Sequence, residues 1–270
     1  MDEIWLSTEE LQTRLARPDL VLLDARPSMV FLLSHLPRAV NVGWREFSDP
    51  AGAVRSLVDP DSGRLAQKLG ALGVRNDVEV VVYGDPIDGS GEDGRIWWTL
   101  NYLGHPRARL LNGGFFKWKN ENRPIERGPA RAKPASFTAR VDPSWLMLKD
   151  ELKGRLSDPA LALADARSPG EYQGAVGAGI ARGGRIPGAK NLPFDAFYNA
   201  DGTIKPPAAI AAAARAAGIT PDQEVVTYCV GGVRSAWLFV LLATAGYPKL
   251  RNYAGSWWEW STDPALPVEK

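Results

Sequence analysis

The sequence predicts an α/β protein of two tandem domains, each a mainly parallel sheet flanked by helices. The first observation behind this prediction is an internal repeat: Asp24-Ala25-Arg26 recurs as Asp165-Ala166-Arg167, and Glu79–Tyr83 recurs as Glu224–Tyr228, in the same order. The second is that short apolar runs alternate with helical segments in each copy, as in strands joined by crossover helices. Each copy is therefore expected to form one folded unit.

The third observation is a stretch between the copies that is rich in proline, charged and small residues and has no hydrophobic periodicity. Such a composition is typical of a linker that crosses a surface. The length of 270 residues also suits about two domains. We therefore place the first domain at residues 1–125, the linker at 126–142 and the second domain at 143–270.

Several helices have clear sequence signals. The first begins with a capping box, in which Ser7 accepts a hydrogen bond from the helix start and Glu10 reaches back. Residues 208–217 predict another helix, with Pro207 suited to its first turn. The segment 236–243 is apolar on all sides, which predicts a buried helix.

Composition excludes several classes of function. The formal net charge is +1, so the chain lacks the broad basic surface that nucleic acid or an anionic membrane requires. One cysteine and two histidines, His35 and His105, make neither a zinc site nor an internal disulfide, and no metal or cofactor is expected. The first residues lack the basic start and apolar core of a signal peptide, and no apolar run is long enough for a bilayer, so we expect a cytoplasmic protein.

Cys229 is the residue that points most directly to chemistry. It lies where the apolar run 224–228 gives way to Val230-Gly231-Gly232-Val233 and then to Arg234 and a helical run. The glycines allow a tight turn with inward-pointing amides, and the helix start adds unpaired N–H groups and a positive dipole end. A thiol held there should be largely thiolate. The alternative, a buried and inert cysteine, is disfavoured by the loop and the repeat.

Two α/β copies with Asp-Ala-Arg, Ile186-Pro187-Gly188-Ala189 and a cysteine loop at a strand end resemble a tandem rhodanese over nearly the whole chain. The loop Cys229–Ser235, with Tyr253–Trp257 further on, is most similar to bacterial thiosulfate sulfurtransferases. The resemblance implies a catalytic second domain and an inactive first domain. In the first copy, Gly84-Asp85 stands where the cysteine would be, and a carboxylate cannot carry sulfur.

The loop and the resemblance together imply sulfur transfer from thiosulfate or a similar donor. The Cys229 thiolate would attack the outer sulfur and become a persulfide while the rest of the donor leaves as an anion. Amides of Val230 to Val233 would hydrogen-bond the sulfur, and Arg234 would hold the departing group. With no second cysteine in the chain, cyanide, a small thiol or a protein cysteine must accept the sulfur. We expect a monomer.

Glu171 bears on the choice of donor. In mercaptopyruvate sulfurtransferases an arginine corresponds to Glu171 and binds the substrate carboxylate, and their loop reads Cys-Gly-Ser-Gly-Val-Thr. Both features differ here, so thiosulfate is the favoured donor and mercaptopyruvate the alternative.

Arg182 and Arg185 lie in or beside a nine-residue insertion of the second copy. They either belong to a solvated loop or supply positive charge at the pocket mouth, and Arg182 is a candidate substrate-binding residue.

Two supporting residues are expected near the pocket. Asp165 is shared with the inactive copy, which favours a structural role, whereas Trp257, like Trp258 after it, replaces a phenylalanine of the first copy and is a candidate for the pocket lining. A dinucleotide fingerprint over residues 89–94 is contradicted by the acidic residues inside it and by its position in the inactive loop. Both histidines also lie in the first copy and are expected to be structural, which disfavours a Cys-His protease.

Two further alternatives concern the cysteine loop itself. Related folds that hydrolyse phosphate esters have one residue more than the four, Val230 to Val233, found here between cysteine and arginine. The tighter ring favours a sulfur atom over a phosphate. A non-catalytic persulfide carrier, which passes sulfur to one specific partner protein, remains an alternative from outside the enzymes.

Overall fold

The computed structural model describes residues 4–52, 54–177 and 179–270. The chain forms two compact units, the first from residues up to 48, 59–142 and 198–204, and the second from 49–58, 143–197 and 205–270. The stretch 126–142, expected as a linker, therefore groups with the first unit. Each repeat also gives one short segment to the unit built mainly from the other repeat, in each case just after a 3₁₀ helix, at Trp44–Phe47 and Phe194–Phe197.

The first unit has a five-stranded parallel sheet in the order β1-β5-β4-β2-β3. Its strands are β1 Trp5–Leu6, β2 Leu20–Asp24, β3 Val40–Asn41, β4 Glu79–Tyr83 and β5 Ala108–Leu111. Its helices are α1 Thr8–Arg14, α2 Ser28–Leu33, α3 Ser62–Ala71, α4 Glu92–Tyr102 and α5 Gly114–Asn120. Every residue of β4 is buried, which explains why Val80 to Tyr83 form a continuous apolar run rather than alternating with polar residues. The strand begins with Glu79, a buried carboxylate that is ion-paired with Arg14 and Arg109.

The second unit has a four-stranded parallel sheet in the order β7-β6-β8-β9. Its strands are β6 Leu161–Asp165, β7 Lys190–Asn191, β8 Glu224–Tyr228 and β9 Leu250–Asn252. Its helices are α6 Lys149–Gly154, α7 Pro169–Tyr172, α8 Pro207–Ala216, α9 Val233–Thr244 and α10 Ser256–Thr262. Because β8 is an inner strand, the loop that follows it lies among the carboxyl ends of β6 and β9, where open α/β sheets bind ligands.

The predicted local signals are confirmed. The Ser7 hydroxyl accepts from the Glu10 amide at 3.1 Å, and the Glu10 carboxylate accepts from the Ser7 amide at 2.9 Å. The helix predicted at 208–217 is α8, and the apolar segment 236–243 lies in α9, where it is buried throughout. No helix in the described parts of the chain combines the length and apolar character needed to cross a membrane.

Candidate active site

Cys229 is the first residue after β8 and precedes a sharp turn into α9. The turn ends at Gly232, the N-cap of α9, with a φ of +73° that favours glycine. A Cβ there would collide with the carbonyl oxygen of Ala254. At Gly231 a Cβ would lie 2.5 Å from Cζ3 of Trp258. Both glycines are therefore required by close approach of α10 and the segment before it.

The thiol of Cys229 is buried, with the residue 1% exposed. Burial by itself would raise the pKa of this thiol, but the positive charge of Arg234 lowers it by electrostatic attraction. Hydrogen bonding from the amides of Ser235 and Gly231 lowers the pKa further, and the net value lies below that of an ordinary cysteine. The sulfur is thus held in a form that ionises readily.

The predicted loop residues contribute unequally. The amide of Gly231 affects the thiol, whereas Val230 lines the pocket and its carbonyl accepts from the amide of Trp258 at 2.9 Å. Val233 is the first, buried residue of α9. Ser235, one turn into the helix, was not singled out from the sequence, although its position beside Arg234 is a signal that could have found it.

Arg234 forms a two-pronged ion pair with Glu171. Its Nη1 and Nη2 lie 2.8 Å from Oε2 and Oε1 of that carboxylate. Partial burial would raise the pKa of Glu171, but the hydrogen bonds and charge of Arg234, with those from Ser168, hold it down at about 2. Glu171 is therefore ionised at neutral pH, and it fixes the guanidinium beside the thiol. The sequence named both residues without predicting that they pair.

Asp165 and Arg167 form a fully buried pair at the end of β6. The carboxylate accepts from the Arg167 Nε at 2.9 Å and Nη2 at 2.6 Å, and from the hydroxyl of Tyr228 at 2.6 Å. The Arg167 guanidinium lies 4.7 Å from the ring centroid of Trp257. The first unit repeats the arrangement, with the Arg26 guanidinium 3.6 Å from the Phe115 ring. Asp165 therefore supports the wall of the site.

A pocket of about 400 Å³ opens beside the cysteine loop. Its charged lining consists of Arg167, Arg234 and Glu171, and Val230, Trp257 and Trp258 contribute an apolar wall. The insertion of the second repeat supplies the rest, namely Ala175, Val176, Gly177 and Ile180. Trp257 and Trp258, both candidates from the sequence, thus line the pocket, and Arg167 is an additional lining residue. Each of the two lining guanidinium groups is paired with a carboxylate.

The structure gives Arg182 and Arg185 other partners. The guanidinium of Arg182 donates to four backbone carbonyls at the end of α10 and beyond it, those of Trp260, Ser261, Asp263 and Leu266. Arg185 pairs with Glu269 and stacks on Tyr172. Arg182 is not among the described residues that line the pocket. Its geometry favours a structural role over the predicted contact with substrate, because four of its five N–H donors are already used.

The corresponding loop of the first unit holds a carboxyl group instead of a thiol. A Cβ on Gly84, which stands in the cysteine position, would lie 2.9 Å from Cγ of Asp93. Asp93 is 7% exposed, and burial, together with the nearby Glu92, raises its pKa to about 7. The Glu92 carboxylate in turn accepts from the Ser90 amide at 2.7 Å. Backbone amides that a nucleotide phosphate would need therefore already donate to carboxyl groups of the chain itself.

The two histidines have structural partners. His35 Nδ1 lies 2.9 Å from the carbonyl of Phe31, and His105 Nε2 lies 3.0 Å from the carbonyl of Arg75. Both are buried in the first unit, as expected. Among the described residues, no group of three or more His, Cys, Asp or Glu side chains is arranged to hold a metal ion.

Comparison with known proteins adds to this geometry. The family model of the rhodanese-like domain matches twice, at residues 7–121 and 148–263. The chain is 36% identical to a thiosulfate sulfurtransferase of Azotobacter vinelandii, over 96% of this chain and 94% of that protein. It is 34% identical to the sulfur carrier protein TtuD of Thermus thermophilus (99% and 97% covered) and 36% identical to a probable 3-mercaptopyruvate sulfurtransferase of Pseudomonas aeruginosa (97% and 96%).

Proposed function

Because the chain belongs to the rhodanese family and carries two rhodanese-like domains, we propose that it is a sulfurtransferase in which Cys229 carries sulfur taken from thiosulfate. The observation that carries this proposal is a buried thiol whose pKa is lowered by Arg234 and by loop hydrogen bonds. The second domain contains no histidine, and Glu171 is ionised and already paired. A thiolate formed in advance therefore replaces a general base.

The reaction has two displacement steps. In the first, the Cys229 thiolate attacks the outer sulfur of thiosulfate, a new S–S bond forms, the S–S bond of thiosulfate breaks, and sulfite leaves with the electron pair. In the second, cyanide or a thiolate attacks the outer persulfide sulfur, and Cys229 leaves as a thiolate. Neither step needs a proton at the sulfur. The loop amides can hydrogen-bond the anionic sulfur before and after each transfer.

The role of Arg234 follows from its pairing. Glu171 neutralises much of the guanidinium charge, so the pocket is a weak trap for anions in general. The same pair holds the guanidinium next to the sulfur, where it lowers the pKa of Cys229. We propose that Arg234 acts chiefly on the thiolate and on the negative charge that develops on departing sulfite.

Mercaptopyruvate is the second candidate donor, and the similarity to the Pseudomonas aeruginosa protein favours considering it. Glu171 argues against it, because a carboxylate lies in the pocket where the substrate carboxylate would have to bind. Thiosulfate is smaller and places its charge on the leaving sulfite. We therefore expect kcat/KM with thiosulfate and cyanide to exceed kcat/KM with mercaptopyruvate.

The test is intact-protein mass spectrometry after incubation with thiosulfate, followed by steady-state kinetics with each donor. The wild-type protein should gain the mass of one sulfur atom and lose it on addition of cyanide, and Cys229→Ser should gain none. No gain in the wild type would refute the proposal. A stable gain with no turnover to cyanide would instead favour the persulfide carrier, and the Thermus thermophilus relative is named a sulfur carrier protein.

Arg234→Ala should lower kcat/KM for thiosulfate by about a hundredfold, as expected for loss of one charged stabilising group. Arg155→Ala is the matched control, because Arg155 also pairs with carboxylates but contacts Glu224 at the opposite end of β8. The control should keep wild-type kinetics. Equal kinetics in the two variants would show that Arg234 has no role in the active site.

A further inference from the structure

Ser256 has a backbone conformation that its residue type disfavours. Its φ is +51°, in the left-handed region that normally belongs to glycine. The residue is 0% exposed and is the first residue of α10, next to the cysteine loop. Backbone strain of this kind persists only where the surroundings hold it, and it concentrates at functional sites. The position therefore calls for a physical reason.

The first unit contains the same turn without a thiol. Gly114 is the counterpart of Ser256 and has a φ of +52°. The residue after each turn makes the same backbone bond, from Phe115 to the Gly84 carbonyl at 2.9 Å and from Trp257 to the Cys229 carbonyl at 3.0 Å. The unit that lacks the thiol thus has the residue that this conformation favours. Only the unit with the thiol has a side chain there.

The two turns also differ in the room that they leave for a side chain. A Cβ on Gly114 would lie 2.5 Å from the Gly84 carbonyl oxygen, so the first unit has no room for a side chain. In the second unit the turn accommodates the Cβ and hydroxyl of Ser256. The copy that carries the thiol therefore keeps a side chain with a hydroxyl at this position despite the unfavourable φ.

The hydroxyl of Ser256 contacts the cysteine peptide directly. It donates to the carbonyl of Tyr253 at 2.7 Å, which uses its single proton. Its lone pair accepts the amide of Cys229 at 3.1 Å. Since the amide of Trp257 binds the Cys229 carbonyl, both peptide groups of Cys229 are fixed by the start of α10.

This fixation determines where the sulfur lies. Because the peptide groups on both sides of the Cys229 Cα are held, one at its N–H and the other at its C=O, the Cα–Cβ bond of Cys229 has one direction. That direction brings the sulfur under the Gly231 and Ser235 amides and beside Arg234. Without the Ser256 hydroxyl, the Cys229 amide would be buried without an acceptor, and the peptide would turn to find one.

We propose that Ser256 is a positioning residue, which fixes the Cys229 peptide so that the sulfur stays inside the amide loop. This inference rests on the proposed function, in which Cys229 is the sulfur carrier. It predicts that replacing Ser256 affects the reactivity of the Cys229 thiol more than the stability of the fold.

Two substitutions distinguish a positioning role of Ser256 from a purely structural role. Ser256→Gly removes the hydroxyl but relieves the backbone strain, so the relief should offset part of the cost of leaving the Cys229 amide without its acceptor. Ser256→Ala removes the hydroxyl and keeps the strain, so it should be less stable than Ser256→Gly. If the hydroxyl positions the sulfur, both variants share one chemical defect despite their different stabilities.

The measurement is the rate of Cys229 alkylation by iodoacetamide as a function of pH, with urea unfolding of each variant. The charged groups around the thiol, Arg234, Glu171, Arg167 and Asp165, are unchanged in both variants. We expect the midpoint of the profile to rise in both variants and the rate of persulfide formation from thiosulfate to fall about tenfold, the loss of one buried hydrogen bond.

An unchanged alkylation profile and persulfide rate in Ser256→Gly would overturn the inference. Alkylation needs no sulfur donor, so it tests Ser256 even if thiosulfate is not the substrate. Failure of the wild type to take up sulfur would refute the proposed function, whereas a normal wild type with a normal Ser256→Gly variant would refute only the role of Ser256.

Discussion

Asp93 occupies the place of the missing thiol in the first unit, and replacing it with asparagine should stabilise the protein in a pH-dependent way. Its carboxyl group is buried against Gly84 and accepts from the Gly94 amide at 3.0 Å. Burial and the neighbouring Glu92 raise its pKa to about 7. Asparagine keeps the acceptor oxygen but has no charge to desolvate, so it mimics the protonated acid.

The magnitude follows from the pKa in the two states. An unfolded aspartate has a pKa of about 3.9, so ionisation at pH 8 costs the native state about 4 kcal/mol and at pH 5 about 1.5 kcal/mol. Below about pH 4 the carboxyl is protonated in both states and the cost disappears. Because the folded pKa is raised, wild-type stability falls between pH 4 and about 7 and then levels off. The gain from Asp93→Asn should therefore grow by about 2.6 kcal/mol from pH 5 to pH 8.

The assay is urea unfolding at pH 5, 6, 7 and 8, with amide exchange of α4 read by mass spectrometry to identify the transition of the first unit. Asp88→Asn is the control, because Asp88 lies in the same loop but is exposed. Its effect should not depend on pH. A gain from Asp93→Asn that is equal at pH 5 and pH 8 would refute the argument, since a constant difference reports packing and not titration.

Two further substitutions test residues around the active site. Gly231→Ala should lower kcat/KM for thiosulfate at least about tenfold, because the new Cβ would displace the Trp258 ring or the loop; wild-type kinetics would show that the ring moves freely. Arg182→Met should lower the free energy of unfolding by about 2 kcal/mol, since four carbonyls lose a charged donor, and should leave the KM for thiosulfate unchanged. A raised KM with normal stability would instead assign Arg182 to substrate binding.

Much of the fold was predictable because its signals are local or repeated. The capping box of α1 depends on Ser7 and Glu10, which are three residues apart. The continuous apolar character of 236–243 in α9 is enough to predict that this segment is buried. The repeat supplied the long-range information, since two copies of one pattern must form similar units. The assignment of 49–58 and 198–204 to opposite units was not predictable, because no local pattern says which sheet a loop packs on.

The site was predictable only in part, for the same reason. The pairing of Arg234 with Glu171 joins residues 63 positions apart, and each was expected to have a separate role. Arg182 was a candidate for substrate binding because its carbonyl partners, about eighty residues further along the chain, are not visible from the local sequence. Arg167 was visible in the repeated Asp-Ala-Arg motif, yet only its packing around the pocket distinguishes it from a core residue.

The sequence by itself determined that this protein has two copies of one α/β unit and that only the second carries a thiol in a glycine turn between strand and helix. Turn geometry and periodicity are set by neighbouring residues, so they can be read along the chain. The tertiary structure alone decided which charges neutralise each other, that Asp93 fills the empty thiol position, and that Ser256 holds the Cys229 peptide. Those contacts depend on which side chains the fold brings within hydrogen-bond distance, and such side chains can lie far apart in the sequence.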